Sequence, residues 1–169
     1  MRASMRYALV VTLVAFIAIL SQAQQNKKAG ILDATELKQV APTTYFFEGQ
    51  VAPVQMRNTV AIRLADGKIV QAGFVDNSGY SSDVAAKYQG FLITEEKITI
   101  EDQALSPGQY GFGFANGKFR VMDVAGSDVF LVDHKTDDTL KRPVPLKATE
   151  DSGSYRLYAG KKYVTIKTK

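Results

Sequence analysis

Two dipeptides constrain this chain more than anything else in it. Asp66-Gly67 and Asn116-Gly117 each stand between β-rich runs. Such pairs are preferred at the centre of a two-residue hairpin, because a type I′ turn needs positive φ at both central positions and glycine adopts it without a Cβ clash. Val60, Ile62 and Leu64 alternate with Ala61, Arg63 and Ala65 before the first pair, and Lys68-Ile69-Val70 leads on to Phe74-Val75 after it. Tyr110, Phe112 and Phe114 alternate with Gly111, Gly113 and Ala115 before the second, and Phe119-Arg120-Val121-Met122 follows. Period-two alternation puts successive side chains on opposite faces of a strand. The chain is thereby committed to antiparallel neighbours.

Further runs agree. Tyr45-Phe46-Phe47 opens a strand that ends before Pro53. Ile98 and Ile100 give a short alternating piece, and Val129 to Val132 gives another strand. Tyr155 to Tyr158 and Tyr163 to Ile166 pair across Gly160, and Glu95-Glu96 reads as a hairpin turn. Asp33-Ala34-Thr35-Glu36 has the spacing of a capping box, Leu37 and Val40 follow at helical spacing, and Pro42 stops the helix. Asp76 to Gln89 breaks the strand rhythm with a turn cluster, Asp76-Asn77-Ser78-Gly79, and a short helix capped by Ser81 or Ser82. His134 to Ser154, with Pro143 and Pro145, reads as irregular. Eight to ten short strands with few helices predict an all-β chain: an antiparallel β-sandwich, or a partly open barrel, with a short N-terminal helix.

The N-terminus carries a separate instruction. Arg2 and Arg6 precede an uncharged stretch from Ala8 to Leu20, and Ser21-Gln22-Ala23 follows with small residues at the two positions a signal peptidase reads. A membrane-spanning helix needs about 20 apolar residues, more than this run supplies. The expected organisation is a signal peptide at 1–23, a polar flexible tail at 24–30 and one β-sandwich domain at 31–169. The expected location is the periplasm or the exterior. A chain without cysteine suits that compartment, where a stray thiol is a liability, and it excludes a cysteine-linked lipid anchor. Loss of Arg2 and Arg6 leaves 19 basic residues of the 21 against 17 acidic ones. So small a surplus argues against nucleic acid as a partner, and no membrane span is expected after processing.

Leu105-Ser106-Pro107-Gly108-Gln109-Tyr110 is the most legible motif. Pro107 presets the first corner of a turn, Gly108 is placed for the positive φ of a type II second corner, and the Tyr110 hydroxyl is expected to bond back to the loop. This L-x-P-G-x-Y string resembles the one in transthyretin-like and carboxypeptidase-regulatory-like β-sandwich modules. The resemblance implies architecture, not activity. The strings Tyr45-Phe46-Phe47-Glu48-Gly49, Val75-Asp76-Asn77-Ser78-Gly79-Tyr80 and Tyr110-Gly111-Phe112-Gly113-Phe114 make the mature chain similar to exported bacterial β-domain proteins. That likeness transfers no catalytic residue.

Gly111 and Gly113 leave one face of a strand bare. Such a face marks close approach of a ligand or of another backbone. One reading makes it the floor of a groove for a flat ligand. The other, which carries more weight, packs the chain's own helix near residues 33–40 against it. Tyr110, Gly111, Gly113, Asp76 and Tyr80 are the candidate ligand-binding residues. Asp76, Asn77, Ser78 and Asp83 offer oxygen ligands, but the glycine falls at the wrong place for an EF-hand loop. His134 is the only histidine, in the polar setting Asp133-His134-Lys135-Thr136-Asp137-Asp138, and reads as a solvated exit from a strand. A Ser-His-Asp triad or a transition-metal site would have to recruit it, and no G-x-S-x-G elbow is present. No cofactor is expected. The sequence therefore points to an exported non-catalytic protein that binds or scaffolds, with another envelope protein or a small ligand as partner. The alternatives are a small apolar-ligand binder with a barrel cavity, and a hydrolase working through His134. A wide apolar cavity would favour the ligand binder, and a filled core with exposed aromatics the partner binder.

Overall fold

The structure, a computed structural model, describes residues 28–168. The expected signal peptide and all but the end of the expected tail lie outside those residues. Gly30, at the end of the expected tail, pairs with Arg63.

Fourteen strands and two short helices make up the described chain. In order they are β1 (Gly30–Ile31), α1 (Ala34–Val40), β2 (Thr44–Phe47), β3 (Gln50–Arg63), β4 (Ile69–Val75), α2 (Ser82–Ala85), β5 (Gly90–Thr94), β6 (Ile98–Ile100) and β7 (Gln103–Leu105). Then come β8 (Gly108–Ala115), β9 (Lys118–Met122), β10 (Asp128–Asp133), β11 (Lys135–Thr136), β12 (Val144–Asp151), β13 (Ser154–Gly160) and β14 (Lys162–Lys167). They form two antiparallel sheets. The first runs β1-β3-β4-β5-β8-β9-β10, with β2 also paired to β3; the second runs β12-β13-β14-β6-β7, with β11 also paired to β14. The sheets do not close into a barrel, so the fold is the sandwich of the two expected architectures.

The turns follow backbone chemistry. Asn116 (φ 52°) and Gly117 (φ 76°) are both left-handed, as a type I′ turn requires. At the first dipeptide only Gly67 is left-handed (φ 87°), and Gly67 N–H donates to the Leu64 carbonyl. That makes a three-residue loop, a type I turn closed by a glycine bulge, in place of the two-residue turn expected. Two further type I′ turns, at Glu48-Gly49 and Ser152-Gly153, lack the Asn-Gly or Asp-Gly pair that marks such a turn in sequence. Glu95-Glu96 is not a hairpin either: it links β5 in the first sheet to β6 in the second.

Two prolines mislead from sequence. Pro53 sits inside β3, opposite Thr44 on the short outer strand β2. Pro145 lies in β12, the edge of the second sheet, with a register irregularity between Val144 and Lys147. Edges and bulges are where a strand tolerates a missing N–H. The stretch expected to be irregular therefore contains an eight-residue strand.

The inter-sheet core is filled by side chains from both sheets. Phe112, Phe114, Phe119, Val121, Leu92 and Val70 of the first sheet meet Leu146, Leu157, Val164, Ile166, Ile98 and Ile100 of the second. The first sheet is also covered on its outer face. There the β2–β3 hairpin and the segment carrying α2 enclose Tyr45, Phe47, Val75, Tyr80, Tyr88, Phe91 and Met122 in a second cluster. Helix α1 closes a third, around Leu32, Leu37 and Ala61. Asp33 caps α1 by accepting from Thr35 and Glu36 N–H groups, which holds its carboxyl below the usual range. Glu36 does not complete a capping box; its carboxylate takes the guanidinium of the buried Arg63 at 2.7 Å.

Candidate functional site

The bare face of β8 is occupied by the protein itself. A Cβ on Gly111 would overlap the ring of Phe47, and one on Gly113 would overlap the carbonyl of Lys87. The covering element is not the helix at 33–40, which packs against Ala61 and Leu32. It is the β2–β3 hairpin together with the chain that leaves α2. Phe47 stacks on Tyr88 with centroids 3.8 Å apart and planes 10° apart, and Tyr80 meets Tyr88 edge-on at 5.3 Å. Tyr45 stacks on Phe91 at 5.2 Å, and its hydroxyl donates to the Tyr110 carbonyl. Burial pushes the Tyr45 and Tyr88 phenols well above their ordinary pKa.

The candidate residues thus divide. Gly111 and Gly113 are fully covered spacers. Tyr80 is buried in the same aromatic cluster, and its hydroxyl donates to the carbonyls of Phe47 and Gln50. Asp76 is exposed and closes its own turn by accepting from Ser78 N–H; the Ser78 hydroxyl and then this N–H hold its carboxyl below the usual range. Tyr110 faces the other way, against the inter-sheet core, and donates its hydroxyl to the Ser106 carbonyl at 3.0 Å. That bond matches the sequence expectation for the L-x-P-G-x-Y motif. The turn does not: Gly108 has no positive φ, and opens β8 opposite Thr94. Its Cβ would lie 2.9 Å from the Tyr110 hydroxyl, so glycine serves here to let the ring fold back over the strand.

An open groove of about 320 Å³ lies beside this cluster, lined by Gln55, Phe74, Val75, Asn77, Ala85 and Gln89. Its carboxamides are engaged in holding the chain. Asn77 donates to the Tyr88 carbonyl at 2.7 Å, and Gln55 donates to the Val75 carbonyl and accepts from Asn58. Gln89 exchanges two hydrogen bonds with the backbone of Phe114, taking the place of one more residue in the ladder.

His134 departs from its expected setting. It stands where the chain crosses from β10 in the first sheet to β11 beside the second, 6.0 Å from the Phe114 ring. Both ring nitrogens are buried, and neither has a hydrogen-bond partner. No carboxylate orients it, and no group of three His, Asp or Glu side chains able to hold a metal gathers among the described residues.

Six large apolar side chains are exposed among the described residues: Ile31, Phe46, Val51, Val124, Val129 and Leu131. Phe46 and Val51 are cross-strand partners on the upper face of the β2–β3 hairpin, 52% and 63% exposed. Val124, whose carbonyl receives the Glu48 N–H of the hairpin tip, is exposed beside that tip, and Val129 and Leu131 are exposed on β10. In sequence Phe46 reads only as part of a strand, because no local signal marks Glu48-Gly49 as the turn that exposes it. No helix among the described residues is long and apolar enough to cross a membrane. Comparison with protein families, curated proteins and solved structures gives no match.

Proposed function

We propose that this chain is an exported, non-catalytic binding protein of the periplasm or the cell exterior. Its partner is a macromolecule met at the outer side of the first sheet. The observation that carries this reading is a contrast of surfaces. The space between the sheets is filled by three phenylalanines and fourteen aliphatic side chains, while the pair Phe46 and Val51 stands on solvent. Adjacent exposed apolar side chains, as Phe46 and Val51 are across the β2–β3 hairpin, mark an interaction surface. A small apolar ligand would need room that the core lacks; the amides of the groove beside the aromatic cluster are already bonded, and a second groove of about 340 Å³ is lined by the charged Lys28, Asp33, Glu36 and Glu150. The isolation of His134 from any carboxylate speaks for a role without catalysis.

Two measurements test the reading. Photo-crosslinking from position 46 in the native host should trap a discrete partner, and Phe46→Ser with Val51→Ser should abolish binding of that partner while the fold persists. A bound small molecule released by native mass spectrometry, with no crosslinked partner, would overturn it. The export half is separate: N-terminal sequencing of the exported protein should begin at or near Gln24, and an intact N-terminus in a membrane pellet would refute it.

A further inference from the structure

Charge is divided unevenly along the chain. From Lys28 to Asp133, the span that holds every strand of the first sheet, nine basic residues stand against thirteen acidic ones. From Lys135 to Lys167, the span of β11 to β14, eight basic residues stand against four acidic ones. A total near neutrality thus hides opposite signs in the two parts, and such asymmetry points to a charged partner.

The basic surplus gathers at one end of the second sheet. A Cβ on Gly160 would lie 3.9 Å from that of Pro143, and Asp137 N–H donates to the Lys161 carbonyl at 2.9 Å. The segment before β12 therefore folds against the β13–β14 turn, and brings Lys141 and Arg142 to the end of the sheet where Lys161 and Lys162 stand. Lys147 joins them: it is the cross-strand partner of Tyr158, and lines a groove of about 60 Å³ with Leu140, Val144, Thr149 and Tyr158. Lys161 is half-buried and the other four cations are exposed. No carboxylate of the described residues lies within 4.0 Å of any of the five, whereas Lys135 and Arg156 are paired with Glu101 and Asp151. The acids at this end are Asp137 and Asp138, and Asp137 is already held by the hydroxyls of Thr139 and Tyr158. Five like charges on converging segments repel one another, and a polyanion laid across them relieves that repulsion.

We propose that this basic end of the second sheet binds a linear anionic polysaccharide. Its cations are long, exposed and spread over three segments, which matches charges repeated along a polymer; a single small anion would call for buried donors. A lipid surface fits poorly, because none of the six exposed large apolar side chains belongs to the second sheet, so nothing here enters a bilayer. Single-stranded nucleic acid stacks its bases on open aromatic faces, but Tyr158 is buried and the Arg156 guanidinium lies 5.0 Å from the centre of the Tyr163 ring. A hydrated sugar chain needs neither feature. Its carboxylates meet the lysines and its hydroxyls reach Thr149 at the groove. The surface lies on the second sheet, and Phe46 and Val51 on the hairpin over the first, so the two readings stand or fall separately.

The test uses alginate, in which every sugar carries a carboxylate. The protein should bind it at low salt, release it steeply as salt rises, and ignore neutral dextran. Lys141→Glu with Lys162→Glu should raise the dissociation constant for alginate by about tenfold or more, and Lys147→Glu is an independent third variant. Lys38→Glu with Arg57→Glu makes the same change in net charge outside the second sheet, and should leave the constant within about twofold. Circular dichroism is the folding control for each. No binding of alginate at low salt, an equal loss in both double variants, or tighter binding of an oligonucleotide or of phosphatidylglycerol vesicles at the same salt would each overturn the proposal.

Discussion

Phe47 fills the space that a side chain on Gly111 would need, and so binds the β2–β3 hairpin to the outer face of the first sheet. Behind Phe47 stands Tyr88, stacked and fully buried, so the ring has no empty volume to retreat into. Gly111→Ala should destabilise the domain by about 1–3 kcal/mol, the usual cost of overpacking a filled site. The same substitution made on top of Phe47→Leu should cost markedly less, because the smaller side chain vacates the contested space. Urea midpoints for the two single variants and the pair give the coupling. Simple additivity would mean that the hairpin does not sit on β8 as described.

Gly117 and Gly67 lose stability by a different route. A Cβ at either position meets nothing within 4 Å, so space is not the obstacle. Their φ values of 76° and 87° are, since an L side chain in that region crowds its own backbone. Alanine at either glycine should cost about 1 kcal/mol or more, with no rescue from any second-site truncation. Unchanged thermal midpoints for both would disprove the turn assignments.

Tyr88→Phe should stabilise the protein. The Tyr88 hydroxyl is buried, and the one side-chain polar group beside it is the hydroxyl of Tyr80, whose own proton goes to the carbonyls of Phe47 and Gln50, so no well-aligned hydrogen bond joins the two. An unsatisfied buried hydroxyl carries a desolvation penalty of about 1–3 kcal/mol, and phenylalanine keeps the stack on Phe47 without it. The expected result is a gain of about 1 kcal/mol in unfolding free energy. A loss would show that the hydroxyl is held by an ordered water.

Sandwich architecture was readable because it rests on local signals: strand alternation, the Asn116-Gly117 turn and the Asp33 cap are all decided within a few residues of chain. What could not be read depended on distant partners. Pro53 ends a strand by its own chemistry, yet β3 continues through it because its neighbour there, Thr44, lies on a short outer strand. Gly111 announced a close approach, but nothing near it in sequence says that Phe47, on a hairpin closed by Glu48-Gly49, would be the group that approaches. Gly108 fits two mechanisms equally well from sequence, positive φ or clearance, and only the fold of Tyr110 over it selects clearance. The exposed pair Phe46 and Val51 followed from the missed hairpin, so the candidate surface was hidden along with it.

His134 provides the decisive test of the non-catalytic reading. A neutral imidazole always carries one donor and one acceptor, and here both nitrogens are buried without a partner beside Phe114. A leucine of similar bulk would keep the contact with the ring and remove both unsatisfied atoms. His134→Leu is therefore expected to leave the fold intact, to match or exceed the original thermal midpoint, and to leave partner binding unchanged. The experiment bears on function because this is the only histidine in the chain, and imidazole is the commonest general base and metal ligand. Most general-base and transition-metal mechanisms available to this protein would have to pass through it. If His134→Leu folds normally but loses turnover of some substrate, or loses a bound metal, the non-catalytic reading fails. The active site would then lie where β10 ends and the chain crosses to the second sheet.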